Sequence, residues 1–300
     1  MATLDELLAI PASAVDLHSH TRVSDGELSP AALLQRAAAA GVRALAVTDH
    51  DTLLGLEEAR EAAAELGVTV LPGMEVSSRL AGVEPARSVH VLAYFPPGAP
   101  PDLDEWAALR RRARRERLLA MLTRLGELGM PLDPAAVLDA DTDPRRTPGR
   151  PHLARALLAA GHVRSLQEAF DRWLGEGRPA WVADQVPSVG EAIGMIHALR
   201  GLAVVAHPAI DELDLCLEAM VELGLDGVEA YHGSHDAAQA ARFHARGRDL
   251  GLLISGGSDF HGDRPSGDDA AGWRGLGQVG LPADEWERFA RALCAGEGAR

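Results

Sequence analysis

The stretch that decides the fold is AVDLHSH, residues 14–20, in which a short apolar run ends in two histidines. Four other runs also end in histidine or carboxylate side chains: ALAVTDH at 44–50, TVLPGMEVS at 69–77, AVVAHP at 203–208 and LLISGGSDFH at 252–261. Runs of this kind are typical of buried parallel strands. When such strands close into a barrel, the residues at their C-terminal ends point into one pocket. The sequence therefore predicts an α/β barrel with a polar site at one mouth.

The β-α rhythm of the chain is interrupted once. Strand-like and helical segments alternate from residue 14 to 95, which predicts a parallel sheet. Two long helices are then predicted, at 103–128 and 151–160, with little strand signal around them. The predicted domains are a discontinuous barrel, at 1–97 and 188–300, and an inserted helical cap, at 98–187.

Composition narrows the class of protein. The 300 residues carry a formal net charge of -15, so the overall charge does not favour binding to a polyanion. Aromatic residues make up only 4%, which argues against a base-stacking platform for nucleic acid. The sequence has no apolar stretch long enough to span a bilayer and no signal-peptide pattern at its start. We expect a cytoplasmic enzyme that binds neither duplex nucleic acid nor membrane, and we predict no protein partner.

The residues at the strand ends are of the kinds that bind metal ions. His18 and His20 are two residues apart, so on a strand they face the same side and suit a transition metal. Glu75 is a lone carboxylate in an apolar strand, where burial is costly unless the charge is paired or metal-bound. Each residue alone could be structural, but their recurrence at successive β-α units favours one shared metal site. The candidate ligands are His18, His20, Asp25, His50, Glu75, His90, His207, Asp259 and His261.

As a set, these motifs resemble the PHP (polymerase and histidinol phosphatase) family. The resemblance rests on HSH at 18–20, SDG at 24–26, TDHDT at 48–52, Glu75, AHP at 206–208 and GSDFH at 257–261, and extends to GRPH at 149–152 and GRPA at 177–180. It is strongest to the branch that contains nucleoside 3',5'-bisphosphate phosphatases and 5'-to-3' exoribonucleases. The resemblance implies a distorted, TIM-like (β/α)7 barrel with an inserted helical cap and three divalent metal ions.

The resemblance also implies how the ligands divide among the ions. The first ion would be held by His18, His20, Glu75 and Asp259, and the second by Glu75 as a bridge with His90 and His207. The third ion would be held by Asp25, His50 and His261. Manganese is the expected metal, and iron, zinc and magnesium are alternatives that these side chains allow.

Other polar residues are candidates for contact with substrate. Arg150, His152 and Arg178 lie in the two GRP motifs, and an arginine binds a phosphate through two parallel hydrogen bonds. His232 ends a strand-like segment and could donate a proton to the leaving group, and Asp259 is also assigned a catalytic role. The run RRRARRER at 110–117 is interpreted as a solvated helix face rather than a nucleic-acid contact.

The expected reaction is hydrolysis of a phosphate ester by hydroxide formed from a metal-activated water. The expected substrate is a small nucleotide, such as a nucleoside 3',5'-bisphosphate, or a short 5'-phosphorylated RNA. Three alternatives stay open: hydrolysis of an amide or lactone, another PHP phosphatase activity of the histidinol-phosphate type, and a non-catalytic metal-binding module.

Overall fold

The computed structural model describes residues 2–81, 87–98, 101–138, 145–210, 212–262 and 275–296. Within these residues, seven strands form one sheet in chain order. The strands are β1 (Val15–Asp16), β2 (Ala44–Val47), β3 (Thr69–Leu80), β4 (Arg87–Tyr94), β5 (Leu202–Val205), β6 (Gly227–His232) and β7 (Leu253–Gly257). The helices are α1 (Leu4–Leu8), α2 (Pro30–Ala39), α3 (Leu56–Ala63), α4 (Asp104–Glu127), α5 (Pro134–Leu138), α6 (Arg150–Ala159), α7 (Leu166–Ala169), α8 (Val189–Ala198), α9 (Leu217–Glu222), α10 (Ala237–Asp249) and α11 (Ala283–Ala295).

Hydrogen bonds between the first and last strands nearly close the sheet into a barrel. The amide N–H of Leu17, just after β1, donates to the carbonyl of Gly256 in β7 over 3.1 Å. The N–H of Asp259 donates to the carbonyl of His18 over 2.9 Å, which continues the pairing toward the mouth. The predicted α/β barrel is therefore confirmed.

The prediction of a parallel sheet is wrong at β4. This strand pairs antiparallel with both β3 and β5, whereas the other neighbouring pairs are parallel. Only residues 81–86 separate β3 from β4, and two parallel neighbours need a connection of about a dozen residues or more. Because β4 runs in the opposite direction, His90 near its start lies opposite Ser77 near the end of β3. The reversal brings His90 to the same mouth as the C-terminal ends of the other strands.

Side-chain caps fix the starts of several barrel helices. Ser29 precedes α2 and accepts a hydrogen bond from the N–H of Ala32, and Pro30 occupies the first helical position. Ser188 and Glu191 form a reciprocal capping box at the start of α8. Such caps satisfy N–H groups that have no partner inside the helix, so they set where each helix begins.

The helices between β4 and β5 lie within residues 98–187, which we call the cap. Leu118, Met121 and Leu125 of α4 are buried in one apolar cluster with Leu153 and Leu157 of α6. This cluster is distinct from the apolar clusters that contain the barrel strands. The cap therefore has a small core of its own, while the predicted domain boundaries stay a prediction.

The length and apolar character of the helices bear on whether the chain could span a membrane. In this part of the chain, no helix combines enough length with enough apolar character to cross a bilayer. The predicted cytoplasmic location stays a prediction.

Candidate metal centre

Glu75 lies at the centre of the nine predicted ligands, which the structure brings together at the barrel mouth. Its Oε2 atom lies 3.3 Å from Nε2 of His18 and 3.1 Å from Nε2 of His20. Its Oε1 atom lies 2.7 Å from Nδ1 of His90 and 3.0 Å from Nε2 of His207. One buried carboxylate therefore faces two different sets of imidazoles, as a bridging ligand must.

The first group consists of His18, His20, Glu75 and Asp259, whose ligand atoms lie within 4.8 Å of one another. The Nε2 atoms of His18 and His20 are 3.1 Å apart, and Oδ1 of Asp259 is 3.4 and 3.2 Å from them. Ligand atoms about 2.0–2.1 Å from a tetrahedral ion are separated by about 3.3 Å. These donors, of which only Asp259 is partly exposed, therefore fit a divalent metal ion placed between them.

The second and third groups have similar spacing. The second group is Glu75, His90 and His207, and Nδ1 of His90 lies 3.3 Å from Nε2 of His207. The third group is Asp25, His50 and His261. Oδ1 of Asp25 lies 3.2 Å from Nε2 of His261, and its Oδ2 lies 3.5 Å from Nε2 of His50. All four ligand atoms of His20, Asp25, His50 and His261 are within 4.8 Å of one another. These distances bring the predicted ligands together, and their division among three ions stays a prediction.

Three residues at the site have left-handed backbone conformations. The φ angles are 55° for Asp51, 29° for His207 and 52° for Asp259. This region costs an L-residue about 1–2 kcal/mol, and such strain persists only where the surrounding structure enforces it. Two of the three are predicted ligands and the third directly follows His50, so the strained backbone aims side chains at the site.

Sequence reasoning missed Glu229, a fully buried carboxylate on β6. Its Oε1 lies 3.0 Å from Nδ1 of His18, and its Oε2 accepts a hydrogen bond from the N–H of His207 over 2.8 Å. Glu229 and His232 are three residues apart and would face opposite sides of a regular strand. A register shift between Glu229 and Tyr231 inserts an extra residue, so both side chains point inward. The signal was available, because Glu229 is a lone carboxylate in an apolar strand, as is Glu75.

The site would hold protons when no metal ion is bound. Burial alone would lower the pKa of His20, but hydrogen bonds to Asp259 and Glu75 outweigh burial and raise that pKa to about 10. Burial lowers the pKa of His50 to about 3, so its imidazole is neutral near pH 7. A metal ion entering the first group must therefore displace a proton from His20.

A cavity of about 380 Å³ opens over the three groups. Arginines Arg79, Arg114, Arg117 and Arg150 are among its lining residues, together with members of all three groups. Burial lowers the pKa of Arg117 to about 10 against the opposing effect of Asp184, so the guanidinium is still charged near pH 7. The cavity therefore brings guanidinium groups close to the ligand carboxylates, although the whole chain is acidic.

The interpretation of residues 110–117 as a solvated face is wrong for three of the arginines. Arg110, Arg114 and Arg117 are spaced at i, i+4 and i+7, so they share one face of α4. Arg110 and Arg114 are buried, and Nη1 of Arg117 donates to Asp184 over 2.7 Å. Only the outward face fits the prediction, as Arg112 shows by its exposure and its pairing with Glu116. The inward face contacts the barrel and the cavity.

Of the three predicted substrate contacts, one lines the metal cavity and two do not. Arg150 lines the metal cavity, with its guanidinium 5.8 Å from the centroid of the Phe170 ring. His152 lines a separate cavity of about 470 Å³ in the cap, and its Nδ1 accepts a hydrogen bond from the N–H of Gly149. Arg178 is exposed. Within the described part of the chain, neither His152 nor Arg178 lines the metal cavity.

His232 lies behind the ligands and is 1% exposed. Its Nδ1 accepts a hydrogen bond from the N–H of Ser234 over 3.1 Å, which leaves the proton of a neutral ring on Nε2. That Nε2 lies 3.3 Å from Oδ2 of Asp259. The position allows His232 to orient Asp259, and its predicted role as a proton donor to the leaving group stays a prediction.

Comparisons with known proteins identify the family of this chain. A family model described as PHP domain matches residues 16–131. The chain is 35% identical over 266 residues to a 3',5'-nucleoside bisphosphate phosphatase of Chromobacterium violaceum, covering 85% of this chain and 90% of that protein. It is 32% identical over 288 residues to a 5'-3' exoribonuclease of Haemophilus influenzae, covering 91% and 98%.

Comparison with a solved structure supports the same family. The crystal structure of a candidate metal-dependent phosphoesterase from Bifidobacterium adolescentis superposes with a TM-score of 0.80 at 32% identity. The superposition covers 96% of this chain and 97% of that one. The chain therefore belongs to the PHP family, and it is a metal-dependent enzyme that hydrolyses phosphate esters.

Proposed function

We propose that the enzyme removes a phosphate from a small nucleotide, a nucleoside 3',5'-bisphosphate, with three divalent ions in the three ligand groups. The observation that supports this proposal most is the cavity itself. It combines the metal-binding groups with four arginines, Arg79, Arg114, Arg117 and Arg150. Metal ions and arginines both bind phosphate oxygens strongly. A cavity with both suits a substrate that carries more than one phosphate.

The three-ion assignment, with manganese as the expected metal, is part of the proposal. Imidazole and carboxylate donors without thiolates favour manganese, iron or zinc over softer metals. Bound at these groups, the ions would supply an activated water and offset the negative charge of the phosphoryl oxygens.

The chain's own residues would hold and orient the reacting groups. Oδ1 of Asp259 faces the first group, while its Oδ2 lies 3.3 Å from Nε2 of His232, a position from which His232 would orient the carboxylate. Arg150 enters the cavity from the start of α6 and would bind the phosphate that is not cleaved. The arginine side chains keep their charge near neutral pH, so this binding does not depend on protonation.

The size of the cavity supports a small substrate. Its volume of about 380 Å³ lies at the lower end of the range for small-molecule sites, about 300–1,000 Å³. The similarity to the bisphosphate phosphatase of Chromobacterium violaceum points the same way. We include the predicted cytoplasmic location in this proposal, since a free nucleotide is the expected substrate.

A second candidate is 5'-to-3' cleavage of short 5'-phosphorylated RNA. It is favoured by the match to the Haemophilus influenzae exoribonuclease, which extends over 98% of that protein. In this case the terminal nucleotide would occupy the cavity and the rest of the strand would lie outside it.

The test compares the two substrates under the same conditions with added Mn²⁺. Phosphate release is measured from adenosine 3',5'-bisphosphate, and mononucleotide release from a short 5'-phosphorylated RNA. Faster turnover of the bisphosphate supports the main proposal, and stepwise release of nucleotides from RNA alone supports the second candidate. The metal-loaded protein acting on neither substrate would refute both.

A further inference from the structure

Contacts from the cap reach the barrel loop that carries Asp25. The N–H of Thr147 donates to the carbonyl of Val23 over 2.6 Å. Nη2 of Arg155, on α6, donates to the carbonyl of Asp25 itself over 2.8 Å. Gly149 lies beside the same residue, since a Cβ placed on it would be 3.9 Å from Oδ2 of Asp25. Residues of the cap therefore fix the backbone on both sides of this predicted ligand.

A second set of contacts reaches the residue that follows His50. Nε of Arg114, on α4, donates to Oδ2 of Asp51 over 2.7 Å, and its Nη2 donates to Oγ of Ser77 over 2.6 Å. Oδ1 of Asp51 accepts from the N–H of Ser77 over 3.0 Å. All three residues are buried. The contacts hold Asp51 in its left-handed conformation, and with it the peptide that orients His50.

The two ligands that these cap contacts support both lie on loops. Asp25 and His50 lie on the loops that follow β1 and β2, whereas Glu75 and His90 lie within strands β3 and β4. Loop residues are held less firmly than strand residues, so a ligand on a loop must be ordered when the metal binds. External contacts that order the loop beforehand raise the affinity for the ion.

We propose that docking of the cap completes the third group, with Arg114 and Arg155 as positioning residues for His50 and Asp25. The proposal rests on the three-ion part of the proposed function. Binding of the third ion then depends on the cap, while the other two groups share Glu75, which lies within strand β3, and the second also includes His90 within β4. Arg114 and Gly149 also line the cavity, so a bound substrate would contact the same cap residues that fix the third group.

The experiment measures metal stoichiometry rather than activity. The full chain and its Arg114→Gln and Arg155→Gln variants are dialysed to equilibrium against a series of Mn²⁺ concentrations, and bound metal is counted per chain. We expect two equivalents to keep wild-type affinity and one to bind about 10- to 100-fold more weakly, as for other residues that orient ligands. Arg112→Gln is the matched control, because this arginine is also on α4 but its side chain is 79% exposed.

A second variant protects the test against misfolding. Removing Arg114 leaves the buried charge of Asp51 unpaired, which can destabilise the chain. The double variant Asp51→Asn/Arg114→Gln removes both charges of the ion pair, so neither is left buried and unpaired, and asparagine tolerates the left-handed conformation. It should therefore keep its circular dichroism spectrum and still lose affinity at one site.

Three results would overturn the inference. One is wild-type affinity for all three equivalents in the double variant Asp51→Asn/Arg114→Gln and in Arg155→Gln. Another is an equal loss at all sites, which would show a general effect on the fold. The last is a wild-type chain that binds fewer than three ions, and this result is distinguishable because it also refutes the three-ion proposal before any variant is considered.

Discussion

Oε1 of Glu229 lies 3.0 Å from Nδ1 of His18, and both side chains are fully buried. On the opposite edge of the His18 ring, Nε2 faces Glu75 and His20. A carboxylate that accepts from one ring nitrogen fixes the tautomer and leaves the second nitrogen free to bind a metal. Because Glu229 also accepts from the N–H of His207, it supports ligands of both the first and the second group.

Glu229→Gln should therefore weaken metal binding without removing a ligand. An amide carries no charge to stabilise His18, so we expect about a 10- to 100-fold loss of metal affinity. The measurement is competition for Mn²⁺ with a chelator of known affinity. Glu222→Gln, an exposed substitution of the same kind at the end of α9, should match the wild type. Equal affinity in the two variants would show that Glu229 has no such role.

Glu75→Gln should have a larger effect, because Glu75 faces both the first and the second group. A neutral amide cannot bridge two cations as a carboxylate does, and metal ions contribute several kcal/mol to stabilising the transition state. We expect kcat for phosphate release to fall by at least about 10²-fold, which corresponds to about 2.7 kcal/mol. The measurement is phosphate release at saturating Mn²⁺. A variant that retained more than a tenth of wild-type kcat would contradict the bridging role.

Most residues of the candidate site can be recognised in the sequence, because the signal that marks each one lies in its own strand-like run. A histidine or carboxylate at the end of an apolar run is costly to bury, and that cost marks His18, Glu75 and Asp259 without any knowledge of the fold. The same signal marks Glu229 in the run GVEAYH at 227–232. The repeated runs predict the barrel, whereas the antiparallel direction of β4 is marked only by the short connection at 81–86.

The inward position of the cap arginines cannot be predicted from the neighbouring sequence. Arg114 is recognisable as an inward residue only through its partners Asp51 and Ser77, which are 63 and 37 positions away in the sequence. The helical period could have grouped it with Arg110 and Arg117, but could not show which face of α4 meets the barrel. That choice is made by the apolar cap residues Leu118, Met121 and Leu125, which fix the rotation of the helix.

Metal binding should release protons near neutral pH. Hydrogen bonds to Asp259 and Glu75 outweigh the effect of burial and raise the pKa of His20 to about 10, so this ring is protonated when the ion is absent. Because the ion and the proton compete for one nitrogen, metal affinity should fall as the pH falls. Calorimetric titration in two buffers with different ionisation enthalpies measures the protons released. Identical heats in the two buffers would contradict this prediction.

Arg150→Gln should impair the binding of a second phosphate. A hydrogen bond to a charged group contributes about 1.5–3 kcal/mol, so kcat/KM for adenosine 3',5'-bisphosphate should fall about 10- to 100-fold. A nucleoside monophosphate that keeps only the cleaved phosphate lacks the group that Arg150 would bind, and its kcat/KM should change little. Arg112→Gln, on the exposed face of α4, should leave both values unchanged. An equal loss with both substrates would place Arg150 elsewhere in the mechanism.

Gly257→Ala tests how closely β7 must approach the first group. A Cβ on Gly257 would lie 2.8 Å from Cα of His18 and closer still to its N and Cβ atoms, so His18 would have to move. Forcing a methyl group into such a packed contact costs about 1–3 kcal/mol. We expect a loss of that size in the free energy of unfolding by urea with chelator present, and loss of metal from the first group. Gly194→Ala is the control, because Gly194 is exposed on α8 and no described atom outside its own helix lies within 4 Å of the added Cβ. Alanine there should instead stabilise the helix by up to about 1 kcal/mol. If Gly257→Ala kept both its unfolding free energy and its metal, the position of His18 would not depend on the absence of a side chain at this point of the barrel.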